Sequence, residues 1–284
     1  MLGLLKFLRF HFIIHYYNMN PYIELIRPAT SLMAGLAVII GAAVAGTQTS
    51  SLFLYAFLAV FFLTGAGMVL NDYYDLEIDK INAPHRPLPS GRVSQKNALF
   101  YSLSLFAVGL LFSALLNIYC LALGLLNGFL EFLYSRNFKR TFLFGNIIVS
   151  WLAASTFIFG ALLTFDFRIV GIMSLLAFLS NMGREIFKCV EDTKGDRKLK
   201  LDTLPIAIGI NSAKQVARGL IASAVILSPL PYLSGLLNMT YLRIVSIGDI
   251  LFLYSLSQEP TKTKRTTKLA MLIVLLAFLF GKFF

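Results

Sequence analysis

Charge is what this 284-residue sequence has least of. Asp, Glu, Lys and Arg make up 14% of it, where a soluble domain carries about 25%. With 57% hydrophobic residues and a mean hydropathy of +0.75, the chain cannot clothe a water-facing surface, and lipid takes the place of water as its solvent. Cysteine is nearly absent too. Cys120 lies in an apolar run and Cys189 in a charged stretch, so there is no disulfide framework and the redox compartment stays open. The three histidines, His11, His15 and His85, are not at metal-ligand spacing. The single tryptophan, Trp151, reads as packing, and most of the 26 phenylalanines read as helix packing or interface aromatics. Acid is scarcer than base, 14 residues against 25, for a net charge of +11. In a soluble protein that excess would point to nucleic acid; here no recognition module accompanies it, and no nucleic-acid partner is expected.

What the chain has in abundance is long apolar runs. A hydrocarbon core about 30 Å thick needs roughly 20 apolar residues of helix. Nine segments are expected to cross it: 28–46, 51–70, 97–116, 118–135, 141–163, 168–186, 212–229, 236–256 and 267–283. The expected fold is therefore all-α, a polytopic membrane protein with nine transmembrane helices. Arg243 and Asp249 interrupt the eighth segment and suggest an intramembrane pair. With nine crossings, 22 of the 25 basic residues fall on one side, and only Arg168, Arg243 and Lys282 on the other. The basic side is expected to be cytoplasmic. All the acids except Asp166 and Asp249 share that side. Acids contribute little to orientation, so topology does not account for their clustering. Residues 1–18 are apolar, with Lys6 and Arg9, and have no evident cleavage site. They read as an interfacial helix or an extension, giving an N-terminal segment over 1–20 and one membrane domain over 21–284.

Two loops hold most of the acids. The first, NDYYDLEIDKINAPHRPLPSGRVS, runs from Asn71 to Ser94. Asp72, Asp75 and Asp79 are spaced i, i+3, i+7, one face of a helix continuing from the second segment. Like charges so placed repel, so either solvent screens them or a cation sits among them. Hard oxygen ligands at this spacing suit Mg²⁺, which takes one or two carboxylates together with substrate phosphates. Glu77 falls off that face. The tract from Pro84 to Gly91 cannot be helical throughout; Arg86 within it and Arg92 just after it can meet phosphate oxygens. The second loop, GREIFKCVEDTKGDRKLKLDTLPIAIG, runs from Gly183 to Gly209. Asp192 and Asp196 are i, i+4 on one face, and Lys188 precedes Asp192 by four. A lysine beside two carboxylates suits an anionic ligand bridged by metal. Gly195 permits the helix to end there or the chain to approach a ligand closely. Two carboxylate sets on one membrane side, four segments apart, can hold two magnesium ions around a diphosphate.

These residues resemble the UbiA superfamily of intramembrane prenyltransferases, from Arg27 to the C-terminus. The signature N-D-x-x-D-x-x-x-D is matched by Asn71, Asp72, Asp75 and Asp79, and D-x-x-x-D by Asp192 and Asp196. The tracts RPLPSG and YSRNFKR (Tyr134 to Arg140) are similar to the family's as well. The resemblance implies nine helices around a central cavity capped by the two aspartate loops. It implies transfer of a prenyl group from a prenyl diphosphate, with two Mg²⁺ bridging Asp72, Asp75, Asp79, Asp192 and Asp196 to the diphosphate. Asn71, Arg27, Arg86, Arg92, Tyr134, Lys139 and Arg140 would bind substrate, with Lys188 beside the metal-binding acids. Within the superfamily, REIFKCVEDTKGD followed by DTLPIAIG looks most like the archaeal digeranylgeranylglyceryl phosphate synthases. That likeness implies a lipid-phosphate acceptor, geranylgeranylglyceryl phosphate, drawn from the membrane. Two positions depart from the family: Arg136 stands where many members have tyrosine, and Cys189 where many have an acid.

Two rival readings remain at this point. An aromatic-acceptor prenyltransferase making quinone- or chlorophyll-type products would share the diphosphate half of the site. A transporter would place its ionisable residues near the bilayer midplane, where this chain has only Arg243 and Asp249.

Overall fold

The computed structural model describes residues 19–139, 141–198 and 201–284. The segment 1–18, expected at the interface, lies outside the described residues, as does Arg140. Every regular element among the described residues is helical. A short α1 (Pro21–Leu25) leads into α2 (Pro28–Val44) and α3 (Ser50–Tyr74). A brief α4 (Leu76–Asn82) precedes α5 (Gln95–Leu116) and α6 (Ile118–Leu133). One π turn, Tyr134–Phe138, separates α6 from α7 (Phe144–Ala161). Then come α8 (Arg168–Lys198), α9 (Leu204–Ile208), α10 (Ile210–Leu227), α11 (Leu230–Leu233), α12 (Met239–Ser255) and α13 (Pro260–Phe283).

Among the described residues, seven stretches are long and apolar enough to cross a membrane: Ser50–Tyr74, Gln95–Leu116, Ile118–Phe138, Phe144–Ala161, Arg168–Thr193, Ile210–Leu233 and Pro260–Phe283. The two remaining expected crossings fall on α2 and α12, each 17 residues long, or about 26 Å of helix. Large apolar side chains face outward, Phe100 at 73% and Ile226 at 75% exposed. Apolar exposure on this scale is costly in water and costs nothing against lipid. The chain is a membrane protein.

The long helices pack in chain order, α2 on α3, α3 on α5, and so on to α12 on α13, and α13 returns to α2. That closes a ring. Cross-contacts of α2 with α7 and of α8 with α13 brace it. The first brace depends on missing side chains. A Cβ on Gly160 would lie 2.5 Å from the Ala42 backbone nitrogen, and one on Gly41 would lie 3.0 Å from the Phe157 backbone. Small residues at such crossings let two backbones approach in lipid. Side-chain caps set several starts: Asn117 Oδ1 accepts the Cys120 amide at 2.8 Å while its Nδ2 donates to Leu162 O at 3.0 Å, tying the start of α6 to the end of α7.

The structure departs from the sequence reading in three places. The first motif is not on one unbroken helix: α3 ends at Tyr74, Asp75 caps it, and α4 restarts at Leu76. Gly195 does not end its helix. α8 runs to Lys198, 31 residues or about 46 Å, so it overshoots the hydrocarbon core and carries the second motif beyond it. Nor do Arg243 and Asp249 pair; Ser228 Oγ donates to Asp249 Oδ2 at 2.6 Å instead.

Candidate active site

A cavity of about 1070 Å³ fills the middle of the ring and is lined from all nine long helices. One end is charged, with Arg27, Asn71, Lys139, Glu185 and Lys188; deeper walls are apolar, among them Met173, Leu176, Phe252 and Phe278.

Of the first motif, Asn71 lines the charged end, and Asp72 and Asp75 stand behind it on Arg27 and Lys139, which also line it. Asp72, Asp75 and Asp79 are 4%, 8% and 7% exposed, although the helix breaks between them. Glu77, off that face, points outward and pairs with Lys80 at 2.7 Å. A buried carboxylate needs a partner, and each of the three has a cation from elsewhere in the chain. Arg27 Nη2 donates to Asp72 Oδ1 at 2.5 Å. Arg86 Nη1 donates to Asp79 Oδ2 at 2.6 Å and lies 3.7 Å from Asp72 Oδ1. Lys139 Nζ donates to Asp75 Oδ2 and, at 2.6 Å, to Asn71 Oδ1.

Local backbone aims these cations. Arg27 has φ +47°, a left-handed conformation that a non-glycine residue adopts at a cost of about 1–3 kcal/mol; Pro28, next in line, keeps it out of the helical region. Lys139 follows the π turn, its amide bonded to Tyr134 O at 2.9 Å. The extra residue in that turn rotates the chain beyond it, as π-bulges at functional sites do. Arg86 rides on the loop from Pro84 to Gly91, which Leu88 and Val93 pin into a core with Leu25, Val69 and Ala98. Burial works against the Arg86 charge, but Asp72, Asp79 and Asp75 outweigh it and hold the guanidinium above its ordinary value. For Lys139 burial prevails over Asp75 and holds the ammonium below its ordinary value.

The second motif has a different setting. Asp192 is exposed on α8, and Asp196 Oδ2 accepts from Thr203 Oγ1 at 3.3 Å. Two turns before Asp192, Glu185 is 6% exposed, bonded to Arg184 Nη2 at 2.6 Å and to Lys188 Nζ at 3.4 Å. Among the described residues no three His, Cys, Asp or Glu side chains could hold a metal ion by themselves. The donor set nonetheless fits Mg²⁺, an ion that takes one or two carboxylates and completes its shell with water and substrate phosphate. It is not an all-protein cage.

Among the expected substrate contacts, Arg27, Asn71, Tyr134, Lys139 and Lys188 line the cavity; Arg86 does not, and stands behind it on Asp72, which it shares with Arg27, and on Asp79. Arg92 does not line it. Its Nη2 lies 2.9 Å from Glu24 Oε2 and donates to His85 O at 2.8 Å, bracing the loop. Of the two departures, Arg136 is exposed with its guanidinium 5.7 Å from the centre of the Phe132 ring, and Cys189 Sγ lies 3.5 Å from Asn146 Oδ1. The sequence reading missed Asn127, which lines the cavity and accepts from Trp151 Nε1 at 3.0 Å. An asparagine inside an apolar helix was the signal, since polar side chains there seek partners in the bundle.

Buried carboxylates, ion-paired at the head of an apolar cavity within a ring of membrane helices, define an intramembrane enzyme for a substrate with an anionic head and an apolar tail. The model of the UbiA prenyltransferase family matches residues 32–281, and the chain belongs to that family. It is 42% identical over 288 residues to the digeranylgeranylglyceryl phosphate synthase of Methanosarcina mazei, covering 93% of this chain and 99% of the relative. A solved structure of a digeranylgeranylglyceryl phosphate synthase in membranes superposes with a TM-score of 0.81 at 37% identity, over 92% of this chain and 97% of that one. A UbiA homologue from Archaeoglobus fulgidus, bound to GPP and Mg²⁺, shares the fold at a TM-score of 0.73 and 20% identity, over 91% of this chain and 98% of its own. Family membership removes the transporter reading.

Proposed function

We propose that this prenyltransferase moves a geranylgeranyl group from geranylgeranyl diphosphate to the glycerol hydroxyl of geranylgeranylglyceryl phosphate, forming the second ether bond of archaeal membrane lipids. The observation that carries this reading is full-length likeness, 42% identity across 93% of the chain, to a relative named for that synthesis. The cavity supports it, because its apolar body suits prenyl chains and its cationic mouth suits phosphorylated heads. In this reading all nine long helices cross the cell membrane, with the aspartate loops on the cytoplasmic side. Residues 21–284 act as one domain.

Asp72, Asp75, Asp79, Asp192 and Asp196 would hold magnesium, two ions, whose Lewis acidity when bound neutralises charge on the leaving diphosphate. Arg27, Arg86 and Lys139 exchange their aspartate partners for phosphate oxygens. Lys188, Asn71, Tyr134 and Arg140 orient the donor. The carbon–oxygen bond to diphosphate breaks with its electron pair leaving on the diphosphate. The glycerol oxygen then bonds to the allylic carbon and its proton passes to the departing anion. Ionisation precedes attack because an alcohol is a poor nucleophile. The apolar walls keep water from the cation.

Purified protein given geranylgeranyl diphosphate, magnesium, geranylgeranylglyceryl phosphate and 4-hydroxybenzoate together tests this. The diether phosphate is the expected product. Exclusive prenylation of 4-hydroxybenzoate would overturn the acceptor and leave the family intact.

A further inference from the structure

Six cations line the cavity: Arg27, Lys139, Arg184, Lys188, Arg265 and Lys268. The first four each have a carboxylate partner, Asp72, Asp75 or Glu185. Among the described residues, Arg265 and Lys268 have none. Both lie on α13, three residues apart and so on one face. The face has a direction. Thr261, Arg265, Lys268, Leu272 and Leu275 all line the cavity, and their spacing of four and three is that of a single helical stripe. Its cationic end adjoins the second motif, because Thr261 Oγ1 donates to Glu191 Oε1 at 2.9 Å and Asp192 is the next residue. Its apolar end continues to Phe278, about 15 Å beyond Lys268 along the axis. Cations needed only to orient the chain in the bilayer have no reason to face a cavity, nor to head an apolar stripe inside it.

We propose that Arg265 and Lys268 bind the phosphate of the acceptor and that the apolar stripe below them carries its prenyl chain. The donor diphosphate has the aspartates and their paired cations. A second phosphorylated substrate brings further negative charge into the same cavity and needs donors that the first does not occupy. Arg265 offers a planar fork and Lys268 a mobile ammonium for that purpose. The inference rests on the acceptor being a prenylated glycerol phosphate. The shared chemistry is a phosphate on a lipid, so bulk headgroups are the competing source.

Turnover measured in phosphatidylcholine nanodiscs, with donor and acceptor varied separately, tests this. The double variant Arg265→Gln with Lys268→Gln is expected to raise the acceptor KM about tenfold or more and to leave the donor KM within about twofold. Geranylgeranylglycerol, which lacks the phosphate, should be used equally by wild type and variant. An unchanged acceptor KM, or an equal rise in both KM values, overturns the proposal. So does an effect that appears only when anionic lipid is added to the disc, which would assign both cations to bulk headgroups. Both side chains are exposed at the cavity mouth, and the two single substitutions give the same reading if the double variant does not fold. A wild type that makes no diether from this acceptor refutes the function itself, and then neither protein has an acceptor KM to compare.

Discussion

The two aspartate motifs look alike in the sequence and differ in the folded chain. The first is closed. Asp72, Asp75 and Asp79 are buried and each is held by a cation from another element. The second is open, with Asp192 exposed on the end of α8 that overshoots the core. The difference is one of cost. Carboxylates buried at the lipid boundary need cations before any ligand arrives, so the first motif is also part of the fold. Acids exposed on an overhanging helix keep much of their hydration, so whatever they contact contributes less to the fold.

The largest effect expected of this contrast is on turnover and the next is on stability. Asp72→Ala and Asp192→Ala should each lower kcat about a hundredfold or more, and EDTA should abolish turnover by the wild type. Asp72→Ala should also destabilise the ligand-free protein, by about 1.5–3 kcal/mol, because it strips a buried charged hydrogen bond from Arg27; Asp192→Ala, at an exposed site, should destabilise it less. Thermal unfolding in detergent separates the two. Equal Tm losses would erase the distinction between a closed and an open motif.

A smaller effect separates the two arginines of the first loop. Arg86 contacts the motif and Arg92 braces the loop on Glu24. Arg86→Gln should raise the donor KM about tenfold, and Arg92→Gln should lower Tm while leaving that KM within about threefold. A reversed order would put Arg92 at the substrate.

The smallest effect concerns a pair remote from both motifs. Arg168 donates to Asp166 through its side chain and its backbone amide, holding that carboxyl down at about 2 from an ordinary 3.8. The pair's contribution to stability is therefore complete above pH 3.8 and is lost as pH falls toward 2. Asp166→Asn should remove that acid-side slope. Its exposure keeps the amplitude well below that of Asp72, and a slope unchanged in the variant would assign it to other groups.

Much of this architecture was legible in the chain. Apolar runs located every long helix, because lipid forces the backbone to satisfy itself within each segment. The i, i+3, i+7 register of Asp72, Asp75 and Asp79 marked a shared face, and they do share an environment. Contacts between distant segments were not legible. Nothing local marks Glu24 as the partner of Arg92, nor shows that a π turn after Tyr134 carries Lys139 to Asp75. The break at Asp75 was hidden for the opposite reason, since the helical pattern resumes in nearly the same register on its far side. Arg265 and Lys268 merged with the charges that set topology, and only the closed ring brings their face to the cavity.

The central claim is that a closed and an open motif, four membrane helices apart, act on one diphosphate. Equilibrium binding of geranylgeranyl diphosphate to wild type, Asp72→Ala and Asp192→Ala, each with magnesium and with EDTA, tests it most directly. The account predicts that magnesium tightens binding in the wild type and that either substitution removes the gain. Magnesium-dependent affinity retained in full by Asp192→Ala would contradict it.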